Sequence, residues 1–282
     1  MNILSALVDN PLTTRSTGWK WYYALFIFVG VTLPSFTLGL IPITHPVWTL
    51  LQTILQFLLV GVLTLALVRL FQRRPFQAAD LGFDRPDLTK KNIIIVIAVF
   101  LITHGLFFLL SKVSGVTSNA QVEFTNSGFG RSFGADLVTI IAGAIMAPVI
   151  EELVYRGVML RSLQEILARL FTKSSSLNWV PVIVSLIVTA FAFVLPHVSQ
   201  VSFGVMTFAY LISSIGMSLV YLTTGSMVMA MVSHSLQSCY AHSMILVTGK
   251  GDYVLSPIIF FISFACPIIV YLVGRGLKRC FR

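Results

Sequence analysis

Ala147-Pro148-Val149-Ile150-Glu151-Glu152-Leu153-Val154-Tyr155-Arg156-Gly157 sets two adjacent carboxylates and an arginine inside an otherwise apolar helical stretch. Ionised side chains cost about 2.5 to 3.5 kcal/mol each at a bilayer centre on insertion scales, so such a cluster needs a partner or a task. At about 100° per helical residue, Glu152 and Arg156 (i, i+4) share a face and can neutralise one another. Glu151 is turned about 100° from Glu152 and about 140° from Arg156, which leaves it without a local counter-charge. It is the first candidate for chemistry. The competing reading is a buried ion network that only holds helices together.

The chain around this stretch has 282 residues, of which 56% are hydrophobic and 10% charged, with 22 Phe and a mean hydropathy of +0.90. That balance excludes a water-soluble domain. It reads as an all-α polytopic membrane protein: one transmembrane domain over 1–282, a bundle of about eight helices with a polar intramembrane cavity. The net charge of +9 does not point to nucleic acid, because the basic residues lie between apolar spans rather than on one clustered face. Cys239, Cys266 and Cys280 are odd in number and scattered, with no CxxC or Cys/His metal spacing, so no disulfide framework is expected. Residues 1–20 contain Asp9, Pro11 and Arg15 and lack an apolar core, unlike a cleaved signal peptide.

Hydropathy places spans at 21–43, 47–71, 92–110, from 136 through the Glu pair, 179–198, 201–221, 226–247 and 253–274. Trp19, Trp21, Tyr22 and Tyr23 open the first as an interfacial aromatic belt. A polar hairpin occupies 72–91, a Ser/Gly/Asn-rich loop 111–134, and an amphipathic tail 161–173. All but Lys112, Arg131 and Lys250 of the 19 Lys and Arg then fall on one side. The positive-inside rule puts that side, and both termini, in the cytoplasm.

Glu151 and Glu152 are the only acidic residues within the spans. His234, Ser238 and His242 (i, i+4, i+8) make one polar stripe on the seventh span, which must face protein or trapped water. Pro148 frees the carbonyl of Ala144 one turn before Glu151, and Pro196 frees that of Ala192 beside His197. Broken backbone at membrane depth is tolerated where it lines a cavity. Ala142, Gly143, Ala144 and Ala147 allow a neighbouring helix to approach the fourth span closely. His45 and His104 read as interfacial or packed. A desolvated carboxylate is a competent general base for water, and nearby imidazoles and hydroxyls can position that water or hold an oxyanion. The reaction class implied is amide hydrolysis within the bilayer.

Glu151-Glu152-x-x-x-Arg156, Phe193-x-x-x-His197 and His234, in this order on the fourth, fifth and seventh spans, resemble the CAAX protease and bacteriocin-processing (Abi) family of glutamate intramembrane proteases. The resemblance covers about 136–242. It implies that Glu151 activates water, that Glu152 and Arg156 support the site, and that His197 and His234 hold water or oxyanion. The family's third motif ends in Asn four residues after its His. That position here is Ser238, whose hydroxyl is shorter than an amide. The implied partners are a membrane-embedded or membrane-proximal peptide substrate and the lipid bilayer, with no nucleic acid and no cofactor. A bacterial plasma membrane is the expected location.

Zinc is the disfavoured alternative, since no HExxH occurs and adjacent glutamates diverge on a helix. A proton-coupled transporter would spread polar residues along several spans or show symmetric broken helices. Gly249-Lys250-Gly251-Asp252 matches the GxGD pattern of aspartyl intramembrane proteases, yet lies in a loop without a second intramembrane Asp. A non-proteolytic membrane scaffold of the same family is the remaining alternative.

Overall fold

The computed structural model describes residues 18–20, 22–26, 28–30, 77–85, 87–114, 129, 130, 132–171, 178–197, 205–248 and 256–280, with scattered helical positions between 47 and 70. Every regular element among them is helical. We label the long ones α1 (Lys90–Ser114), α2 (Phe133–Phe171), α3 (Val180–His197), α4 (Val205–Thr224), α5 (Met227–Thr248) and α6 (Pro257–Cys280). They match the third to eighth expected spans within a few residues; most of the first two lies outside the described residues.

Among the described residues, five helices are long and apolar enough to cross a membrane: α1, α2, α3, Thr207–Thr224 of α4, and α6. The chain is therefore an all-α polytopic membrane protein. The span expected at 226–247 forms as α5 but falls short of that hydropathy, for a physical reason. It packs against α1, α2, α4 and α6, and 16 of its 22 residues are buried. A helix wrapped by protein needs no apolar surface, so it can carry the stripe of serines and histidines. The outer helices show the opposite pattern, with Ile94, Leu101, Ile102 and Leu109 of α1 and Ile258, Phe261, Ile268 and Leu272 of α6 exposed to the surroundings.

α2 has 39 residues, about twice what a bilayer requires, and its amphipathic end runs over Arg161–Phe171. Its start is fixed by Ser132, whose hydroxyl accepts from the N–H of Ala135 at 3.2 Å. Asp136 in the first turn accepts from the N–H of Gly130 at 2.6 Å, and Gly130 holds φ 81°, open to glycine at little cost. Two π-helical stretches, Ile141–Met146 and Leu153–Leu160, bracket the short α-helical turn Ala147–Glu152 that bears both glutamates. Wide turns of this kind are rare and concentrate at functional sites.

The corner between α4 and α5 is equally specific. Gly225 at φ 69° ends α4, its N–H reaching the carbonyl of Tyr221 at 2.9 Å, and Ser226 caps α5 by accepting from Met229 at 3.2 Å. The polar hairpin expected at 72–91 packs inward over 80–83. Leu81 and Phe83 are buried in the main core, because the loop's own polar groups find partners on the helices. Tyr221 Oη donates to the carbonyl of Leu81 at 3.1 Å and Met227 N–H to that of Gly82 at 3.2 Å. Asp87 accepts from Ser226 Oγ at 2.7 Å and Lys278 Nζ at 3.2 Å, and its carbonyl accepts from Asn92 Nδ2 at 2.9 Å. Trp19 and Tyr23 of the expected aromatic belt are buried in the same core, and Trp21 lies outside the described residues.

Candidate active site

α5 runs antiparallel to α2, and the faces in contact are those the sequence marks. Pro148 has no N–H to offer the carbonyl of Ala144, and Ser235 Oγ of α5 donates to that carbonyl at 2.5 Å. Farther along, His242 packs on Gly143, where an added Cβ would stand 2.9 Å from the imidazole. Its Nδ1 donates to the carbonyl of Ser238 at 2.7 Å, and its ring meets that of Phe129 edge-on at 5.7 Å. The polar stripe on α5 thus faces α2 along its length.

At the Glu pair the geometry is that of a relay. Glu152 and Arg156 are fully buried, and Arg156 Nη1 donates to Glu152 Oε1 at 2.9 Å. The other guanidinium donors are held by α4: Nε to Ser218 Oγ at 3.2 Å, and Nη2 to both the carbonyl and Oγ of Ser214 at 2.8 Å. The guanidinium also lies 4.9 Å above the centre of the Phe193 ring, a cation–π contact. Glu152 Oε1 accepts a second hydrogen bond, from His234 Nδ1 at 2.9 Å. That bond fixes the imidazole orientation and, in the neutral ring, leaves Nε2 as an acceptor. Nε2 points at Glu151 Oε2, 3.7 Å away, and Glu151 is the partly exposed member, at 22% of its side chain. Two acceptors that face each other at this distance can both accept from a single water set to one side of them.

His197 ends the 3-10 turn Leu195–His197. Its Nδ1 donates to the carbonyl of Phe193 at 2.7 Å, which again leaves Nε2 as the acceptor of the neutral ring. It stacks on Phe193 with centroids 4.8 Å apart, and His234 meets the same ring edge-on at 5.7 Å. Tyr210 of α4 lies against His197 at 5.3 Å. The structure therefore brings Glu151, Glu152, Arg156 and His234 into one connected set and puts His197 one aromatic ring away. Ser238 stands a turn beyond His234, and among the described residues no hydrogen bond joins its hydroxyl to the Glu pair. His104 is packed, stacked on Phe100 at 4.1 Å and edge-on to Tyr240 at 4.7 Å, and His45 lies outside the described residues. Among the described residues no group of three or more His, Cys, Asp or Glu has the closeness a metal ion needs.

Sequence reasoning missed Ser214, Ser218 and Ser235. The signal was available: Ser214 and Ser218 are i, i+4 in an apolar span, the spacing by which the α5 stripe is recognised.

Fold and site together define the class: a polytopic helical membrane protein with a buried glutamate–arginine–histidine centre. Residues 133–240 match the family described as type II CAAX prenyl endopeptidase Rce1-like, so the likeness drawn from the motifs to the CAAX protease family holds over that core and supports a protease function. No curated protein and no solved structure matches the chain.

Proposed function

We propose that the protein is an intramembrane endopeptidase that hydrolyses a peptide bond of a membrane-associated peptide with water activated by Glu151. The observation that carries this reading is the facing pair of acceptors, Glu151 Oε2 and His234 Nε2, 3.7 Å apart. A water donating one hydrogen to each would present its lone pairs away from both and toward a bound carbonyl. Glu151 takes the first proton as the oxygen attacks. That proton passes to Nε2 of His234 and from there to the leaving amine nitrogen as the C–N bond breaks, which returns Glu151 and His234 to their starting forms. Arg156 holds the Glu152 carboxylate in place by direct pairing, and so acts through it rather than on substrate. His197, whose neutral ring leaves Nε2 as an acceptor, is the imidazole available to orient a water, and Ser238 offers a short hydroxyl where the family's motif has an amide. The proposal takes no metal, and it places the charged loops and both termini on the cytoplasmic face of a bacterial plasma membrane.

The test is cleavage of a farnesylated CaaX peptide, alongside a lipid-tethered peptide without the prenyl group, by the purified protein in proteoliposomes. The wild type should cleave at least one, and Glu151→Gln should reduce the rate by at least about 10³-fold, on the order of losing a general base and more. Chelation with EDTA should leave the wild-type rate unchanged. No cleavage of either probe by the wild type, or full activity in Glu151→Gln, would favour the second reading, a non-proteolytic scaffold, to which Ser238 gives its support.

A further inference from the structure

Of the three cysteines, Cys280 is exposed at the end of α6, whereas Cys239 of α5 and Cys266 of α6 are buried. Their sulfurs are 3.1 Å apart, inside ordinary van der Waals separation, and need to close by about 1 Å to reach bonding distance. They share one buried cluster with Ala144, with Ile140 and Ile145 packed against it, so the pair sits where α5, α6 and the first π-helical stretch of α2 meet. That is one turn from Ser235, which holds the carbonyl of Ala144. Ser243 Oγ lies 3.9 Å from the sulfur of Cys239, near enough to donate to it as its charge develops.

We propose that Cys239 and Cys266 form a reversible intramembrane disulfide that ties α5, the helix carrying His234, to α6. The oxidant is a small neutral peroxide, a class that enters bilayers. Cys239, as thiolate, attacks one peroxide oxygen. The O–O bond breaks, the departing oxygen takes up a proton to leave as alcohol or water, and Cys239 becomes a sulfenic acid. Cys266 then attacks that sulfur. The S–S bond forms, the S–O bond breaks, and the hydroxyl leaves as water with the Cys266 proton. Each thiol gives up one electron and one proton, and the peroxide is reduced by two electrons. The sulfenic acid is short-lived because the resolving thiol is already in contact. This chemistry is independent of the reaction run by the Glu pair.

Wild-type protein in proteoliposomes, treated with hydrogen peroxide, alkylated under denaturing conditions and digested, should yield a linked peptide pair containing Cys239 and Cys266, lighter by two hydrogens and lost on reduction with dithiothreitol. Cys280→Ser should retain the link and Cys266→Ser should lack it. The oxidised wild type should unfold at a higher temperature than the reduced protein, with the shift reversed by dithiothreitol. The proposal is overturned if peroxide oxidises Cys280 while Cys239 and Cys266 are both recovered alkylated. It is equally overturned if Cys239 is recovered as sulfinic acid, or is linked to Cys280.

Discussion

Arg156→Met isolates what holds the site together. The substitution keeps the length and apolar stem of the side chain but removes four hydrogen bonds, to Glu152, to Ser218 and two to Ser214, and the contact over Phe193. Glu152, fully buried, is left with His234 as the remaining donor to its Oε1, while its Oε2 has no hydrogen-bond partner among the described residues. Removing one partner of a buried ion pair costs about 3 to 5 kcal/mol, because the survivor is a desolvated charge. At 1.4 kcal/mol per power of ten, that lowers the folded-to-unfolded ratio by roughly two to three and a half orders of magnitude. Adding Glu152→Gln removes the stranded charge, so the double variant should be less destabilised than Arg156→Met itself, with a coupling of about 1 to 3 kcal/mol. Equilibrium unfolding in mixed micelles under increasing denaturing detergent measures both. An Arg156→Met protein within about 1 kcal/mol of wild type, or strictly additive effects in the double variant, refutes the claim that the pair is a charge-compensated unit.

Ser235→Ala should cost about 1 to 3 kcal/mol in the same assay, since it strips the donor from a buried carbonyl that Pro148 cannot serve; an unchanged midpoint would show that the bond contributes nothing. Gly143→Ala forces a methyl to 2.9 Å from the His242 ring and should cost about 1 to 3 kcal/mol, most of it recovered when His242→Ala is made in the same chain. Glu151→Gln, at a partly exposed position, should unfold within about 1 kcal/mol of wild type, so that its effect on cleavage is separable from any effect on folding.

Much of this architecture is legible from the chain because lipid is an unforgiving solvent. The Glu pair with Arg156, the two prolines and the α5 stripe are each anomalies against apolar surroundings, and the ion pair and the stripe's orientation are what their spacing requires. The partner of His234 was not legible. Spacing along α2 pairs Glu152 with Arg156 only, and that its Oε1 also receives Nδ1 from α5 depends on the relative rotation of two helices, set by Gly143, Ala144 and Ser235 in contact. Nor does periodicity reveal the π-helical stretches, since their extra residue per turn arises from packing rather than composition. The hairpin at 72–91 hides its role for a different reason: its charges mark it as polar, while Leu81 and Phe83 between them supply the anchor.

Asp87 gathers Ser226 at the start of α5, Lys278 near the end of α6 and Asn92 at the start of α1. Three helix ends are knotted at a single acidic side chain and its own carbonyl, so each is held in register with the other two. Asp87→Ala would take the common acceptor from Ser226 and Lys278 while the carbonyl tie to Asn92 stays, so α5 and α6 would come apart at this end before α1 did.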